Sequence, residues 1–159
     1  MIDVIKNMPE IKIKIVEDGK ISDSSSTEIG KNKRIIIFGV PGAFTSTCSE
    51  KHLPGYIDMA ITLKSKGIES IYCLAVNDPY VMQAWQSQYK EGNKVNMIAD
   101  GNSDLTKSLE LDKDYSSSFM GIRSKRFSLL ADNNKINVLN IEKPGEFKIS
   151  SAEYIINQI

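Results

Sequence analysis

Two short, uninterrupted apolar runs, Arg34-Ile-Ile-Ile-Phe-Gly-Val40 and Ile71-Tyr-Cys-Leu-Ala-Val76, constrain the fold more than any other feature. A strand with one wet face alternates apolar and polar side chains, whereas a continuous β-rich run belongs to a strand covered on both faces. Between the two runs, from Cys48 to about Lys66, Leu53, Ile57, Ala60, Ile61 and Leu63 recur at helical spacing. Gly67 closes that segment, and Pro54 is placed to kink its first turns. Asp78 and Pro79 read as the N-cap and first position of a second helix carrying Met82, Trp85 and Tyr89. Val95–Ala99 is a third strand and Ser103–Leu111 a short helix. Upstream, Ile11, Ile13 and Ile15 alternate with Lys12 and Lys14 as a half-buried strand. Asp18-Gly19 marks a hairpin turn, and Ser22–Thr27 reads as a polar loop. Downstream, Phe127–Ala131 and Lys135–Ile141 flank Asp132-Asn-Asn134, a hairpin signature, and Ser150-Ser-Ala-Glu153 is a capping box before a terminal helix. The pattern predicts an α/β sandwich in which helices flank a mixed central sheet, with an N-terminal hairpin. A single domain over 1–159 is expected, since a chain this long buries roughly 68–70% of its unfolded surface.

Composition narrows the function. Twenty basic residues balance twenty acidic ones, which argues against nucleic acid as a partner. Only three of the basic residues are arginines, and two of them, Arg123 and Arg126, share one short segment. Two cysteines, Cys48 and Cys73, are too few for a disulfide-stapled scaffold. With His52 as the single histidine, no Cys/His set stands at zinc spacing, and no metal or other cofactor is expected. No run reaches membrane-spanning length, and Met1-Ile-Asp-Val lacks the basic and apolar regions of a signal peptide. These features predict a soluble cytoplasmic protein.

The chemistry concentrates in Pro41-Gly-Ala-Phe-Thr-Ser-Thr-Cys48, where a buried strand ends and a helix begins. Ligands of open α/β sheets bind at such strand ends, and a helix N-terminus favours a thiolate. Cys48 is therefore placed as a nucleophile, although a free cysteine is as often an inert packing group. A phosphate loop is excluded: no Gly-Lys-Ser/Thr follows, and Pro41 lacks a donor.

Pro41, Thr45 and Cys48 stand at the P-x-x-x-T-x-x-C spacing of peroxiredoxins, and the string Phe38–Gly55 resembles the type-II, peroxiredoxin-5-like subfamily. Val76-Asn-Asp-Pro79 and Arg123-Ser-Lys-Arg-Phe127 are similar to that subfamily as well, so the likeness covers nearly the whole chain. Ser46 departs from it, standing where the family usually has proline. The resemblance implies a thioredoxin-like fold and a thiol peroxidase reducing hydrogen peroxide and small organic hydroperoxides. It implies Cys48 as the attacking thiolate, Thr45 as a hydroxyl near that sulfur that hydrogen-bonds the incoming oxygen, and Arg126 as the cation that holds thiolate and peroxide. Pro41, Phe44 and Phe119 would line the peroxide pocket, with Arg123 and His52 in support. A homodimer is implied too, with Arg123 a supporting or dimer-contact residue. Plain packing or a solvated basic turn accounts equally well for several of these positions taken singly.

Two other readings stand beside this one: a Cys48–His52 thiol hydrolase, and a non-catalytic thioredoxin-like redox sensor or binding module. Some relatives carry a resolving cysteine just before the final helix; here Phe147–Glu153 contains serines instead. Cys73 lies within a strand expected to be central, poorly placed to meet the Cα separation of about 4.4–6.8 Å that a disulfide needs. An external thiol, glutathione with glutaredoxin or thioredoxin, is therefore expected to reduce oxidised Cys48.

Overall fold

The computed structural model describes residues 7–159. Its main sheet has seven strands in the order β2-β1-β5-β4-β3-β8-β9. These are β1 Lys12–Glu17, β2 Lys20–Ser25, β3 Arg34–Gly39, β4 Ser70–Ala75, β5 Asn96–Ala99, β8 Phe127–Asp132 and β9 Lys135–Ile141. β4 pairs in parallel with β3 and β5, while β1 joins β5 and β8 joins β3 antiparallel, so the sheet is mixed. The fold is thioredoxin-like.

The two continuous runs are the two central strands, and their alternate residues divide between two cores. Ile36, Phe38, Ile71 and Cys73 face helices α1 (Leu53–Ser65), α2 (Pro79–Ser87) and α4 (Ala152–Ile155). Ile35, Ile37, Tyr72 and Leu74 face the other way, onto Leu105 and Leu109 around α3 (Asp104–Ser108). Asp78 caps α2, its Oδ1 accepting from Tyr80 N and Val81 N at 2.8 and 2.9 Å, with Pro79 in the first turn. Asp18-Gly19 and Asn133-Asn134 all have positive φ, between 46° and 78°, the signature of type I′ hairpin turns.

Several local expectations are corrected. Ser22–Ser25 is strand, since β2 pairs with β1 from Ser25 opposite Lys12 to Lys20 opposite Glu17; backbone pairing outweighs polar side chains that mostly face solvent. The segment from Cys48 opens as a wider turn, Cys48–His52, in which Leu53 N donates to Cys48 O five residues back. Pro54, lacking an N–H, follows at once and cannot continue tight i→i−4 bonding to Glu50. The final helix is capped by Ser151, whose Oγ accepts from Tyr154 N at 3.2 Å; Ser150 turns inward instead. A two-stranded ribbon, β6 Asp112–Asp114 with β7 Ile122–Ser124, was not signalled by any apolar pattern.

Candidate active site

β3 ends at Gly39, directly opposite Phe127 on β8. A Cβ at Gly39 would come within 2.0 Å of the Phe127 ring, so only glycine lets β8 pack that closely against the strand end. The loop 41–47 that follows is held from three sides. Asn77 Oδ1, in the segment before α2, accepts from Ala43 N at 2.9 Å. Arg123, on β7, donates from Nη1 to Pro41 O at 3.2 Å and from Nε to Met120 O at 2.9 Å. Thr45 Oγ1 donates to Gly42 O at 2.7 Å. Arg123 thus braces the loop, with its donors on Pro41 O and Met120 O. A side chain at Gly42 would collide with its guanidinium, 2.6 Å from a Cβ.

Cys48 sits in the first turn beyond this loop and is fully buried. The next residue is anchored to α2 and its C-terminal extension: Trp85 Nε1 donates to Ser49 Oγ at 3.0 Å and Tyr89 OH to Ser49 O at 2.7 Å. Trp85 and Met82 are core residues, as their helical spacing suggested.

Arg126, immediately before β8, reaches the sulfur: Nη2 donates to Cys48 Sγ at 3.2 Å. Its Nη1 donates to His52 Nδ1 at 3.0 Å. The other ring nitrogen, Nε2, lies 3.0 Å from Ser150 O, and a carbonyl can only accept. This assigns His52 as the neutral Nε2–H tautomer, with the Nδ1 lone pair left for the guanidinium. Burial first, and the Arg126 charge second, hold the imidazole down at a pKa of about 3, against the partial opposition of the Ser150 carbonyl. Neither nitrogen faces the sulfur and the ring is not a base near neutral pH, which removes the hydrolase pairing of Cys48 with His52.

Ser150 O also accepts from Tyr56 OH at 2.8 Å. Its position is set by Glu142, a buried carboxylate whose Oε2 accepts from Ser150 N at 2.8 Å, Ser150 Oγ at 2.7 Å and Lys148 N at 2.5 Å. A chain of contacts therefore runs from Glu142 through Ser150, His52 and Arg126 to Cys48. The sequence reading missed Glu142, Ser150 and Tyr56. The one available signal was an acidic residue ending a β-rich run, which is too common to single out.

Beside Arg126 opens a cavity of about 720 Å³, with Pro41, Thr47 and Phe147 also in its lining. Of the three residues expected at a peroxide pocket, Pro41 is in the lining of this cavity, and Phe44 and Phe119 are not. Both phenylalanines have left-handed backbones, φ 66° and 60°, and stand out to solvent, 54% and 98% exposed. Cys73 lies in the middle of β4 opposite Phe38, fully buried, and burial raises its thiol pKa well above the usual value. Both cysteines are free. Among the described residues no group of three or more His, Cys, Asp or Glu side chains is arranged to hold a metal ion.

The arrangement supplies a buried thiol sulfur, a cation held against it, and an open cavity beside the cation. Comparison with known proteins agrees with that chemistry. The Redoxin family profile matches residues 5–156. Peroxiredoxin-2D of Arabidopsis thaliana is 48% identical over 143 residues, covering 90% of this chain and 88% of that protein. Peroxiredoxin-2C of Oryza sativa subsp. japonica is 47% identical over 142 residues, covering 89% of this chain and 88% of the relative. Among solved structures, reduced Prx3 in complex with H2O2 from Vibrio vulnificus superposes with a TM-score of 0.91 at 37% identity, covering 97% of this chain and 96% of its own.

Proposed function

The chain belongs to the redoxin family as a peroxiredoxin, a thiol-dependent peroxidase, and on that premise we propose that Cys48 is its peroxide-reducing nucleophile and Arg126 its catalytic cation. The observation that carries the assignment is the 3.2 Å contact from Arg126 Nη2 to the buried Cys48 sulfur. The thiolate attacks one peroxide oxygen, the O–O bond breaks, and the departing oxygen takes a proton and leaves as water or an alcohol. Negative charge spreads over both oxygens during the displacement, and a guanidinium already fixed on the sulfur needs no reorganisation to meet it. Thr45, whose hydroxyl proton is committed to Gly42 O, keeps oxygen lone pairs for a peroxide O–H at the mouth of the loop. His52 positions Arg126 from behind, and Arg123 and Pro41 shape the loop.

The sulfenic acid left on Cys48 is reduced by an external thiol, either glutathione with glutaredoxin or thioredoxin. Supporting this, Ser150 and Ser151 precede the last helix, and Cys73 is locked inside β4. Two free thiols suit a reducing compartment such as the cytoplasm. A homodimer is also proposed, because Phe44, Phe119, Ile122 and Tyr80 are exposed, and the loops of Phe44 and Phe119 are joined through Arg123. Sedimentation showing only monomer at high concentration would refute it.

The central test is peroxide consumption supplied in turn with thioredoxin, glutaredoxin and glutathione. Cys48→Ser should abolish it with every donor; full turnover in that variant would sink the assignment.

A further inference from the structure

Hydrogen peroxide is about the size of one or two water molecules, each occupying roughly 30 Å³ of liquid. The cavity beside Arg126, at about 720 Å³, is far larger than that and falls in the range of sites for small organic molecules. Its walls also carry surplus charge. Lys51, Lys113, Lys125 and Lys143 line it together with Arg126. Among the described residues none of these four lysines is in an ion pair; the pairs are Lys14–Asp23, Arg34–Asp132, Lys94–Glu91 and Lys148–Glu146. Lys113 instead holds its ammonium over the Tyr115 ring, 5.2 Å from the centroid, at the cavity wall. The two acids in the lining are already engaged. Glu142 accepts from Ser150 and the Lys148 backbone, and Glu146 lies 3.8 Å from Lys148 Nζ. Ile141, Pro144 and Phe147 add apolar surface between the charges. In a chain of zero formal net charge, five cations around one partly apolar cavity make a local field that attracts anions.

We propose that this cavity selects carboxylate-bearing substrates for Cys48: small organic molecules whose reactive end, a hydroperoxide or a thiol, reaches the sulfur while a carboxylate rests among the lysines. The proposal rests on Cys48 being the nucleophile. With a hydroperoxide, the S–O bond forms as O–O breaks; sulfur is oxidised, and the alkoxide takes a proton and leaves as the alcohol. With a thiol, its sulfur attacks the Cys48 sulfenic acid, S–S forms as S–O breaks, and hydroxide leaves with a proton as water. A second thiol then releases Cys48 as thiolate and carries away the disulfide. In either case the lysines touch the far end of the molecule, so they discriminate between organic substrates without altering the reaction with hydrogen peroxide.

Stopped-flow fluorescence of Trp85, the sole tryptophan, separates the two sources. In one arm the reduced enzyme meets a linear hydroperoxide ending in a carboxylate, or its methyl ester. In the other, enzyme oxidised with one equivalent of hydrogen peroxide meets glutathione or its diethyl ester. In at least one arm the carboxylate should react about tenfold faster than the ester at low salt, a difference of roughly 1.4 kcal/mol. High salt should shrink that advantage, and the Lys113→Gln/Lys143→Gln double variant should lose most of it. The arm in which this occurs identifies the source. The double variant should react with hydrogen peroxide within twofold of wild type, which also shows that it is folded. Equal rates for carboxylate and ester in both arms, or a preference untouched by salt and by the double variant, overturns the proposal. If wild-type protein fails to react with hydrogen peroxide at all, the assignment of Cys48 falls, and the cavity proposal with it.

Discussion

Replacing His52 by glutamine should remove a specific part of the protein's acid sensitivity. The native imidazole is buried between the Ser150 carbonyl and the Arg126 guanidinium and stays neutral down to a pKa of about 3. In the unfolded chain a histidine titrates near ~6.5. Between these two values the unfolded state binds a proton that the native state refuses, so stability rises with pH in that window. The histidine's contribution is complete above the unfolded value and is lost as pH falls toward the folded one. Each pH unit inside the window costs about 1.4 kcal/mol, so lowering the pH from 7 to 5 should cost wild type about 2 kcal/mol through this residue. Glutamine offers a donor and an acceptor that do not titrate. Urea unfolding followed by Trp85 fluorescence, in the presence of reductant at pH 7, 6 and 5, measures both proteins. All other titrating groups are common to the two, so the change with pH in the difference between their curves isolates His52. The variant should start less stable at pH 7 but lose about 2 kcal/mol less by pH 5. Parallel curves, within about 0.5 kcal/mol, would refute the reasoning that the buried ring is held neutral.

Arg126→Met removes the donor to Cys48 Sγ, and the second-order rate with hydrogen peroxide should fall about 10²–10³-fold, as for loss of a group that meets developing charge; a loss under threefold would contradict its role. Cys73→Ala should keep turnover within twofold when a thiol is supplied, at a packing cost of about 1 kcal/mol, and peptide maps of peroxide-treated wild type should contain no stoichiometric Cys48–Cys73 disulfide. Glu142→Gln weakens the acceptor for three donors, so denaturant unfolding should show about 2–4 kcal/mol lost. Its reaction with hydrogen peroxide should also slow, because Ser150 no longer holds His52 and Arg126 in line; an unchanged rate in a destabilised variant would make Glu142 purely structural.

The strands, the helix N-cap and the hairpin turns were legible in the sequence because their causes are local. Arg34–Val40 and Ile71–Val76 read as buried strands from their unbroken apolar runs, Asp78-Pro79 as a helix start, and Asp18-Gly19 and Asp132-Asn-Asn134 as hairpin turns, where positive φ is found. Cys48, Thr45 and Arg126 were singled out through the resemblance of Pro41–Cys48 and Arg123–Phe127 to peroxiredoxins, and the structure brings Arg126 onto the Cys48 sulfur. The ribbon of β6 and β7 was not legible, since its short strands carry little apolar signal and exist by pairing with each other. That Phe44 and Phe119 stand exposed was not legible either, because an aromatic side chain on a loop does not reveal which way a left-handed backbone turns it.

By itself, then, the sequence determined most of the elements, the covering of two central strands on both faces, and, through its resemblance to peroxiredoxins, the candidate nucleophile. Only the tertiary structure decided that His52 is neutral, that Arg126 is shared between it and Cys48, and that Glu142 anchors the far end of the chain of contacts. Arg126 and Cys48 are 78 residues apart, and His52 and Ser150 are 98 apart. Periodicity and turn preferences act over a few residues, whereas the protonation state of a side chain depends on whatever the folded chain brings against it.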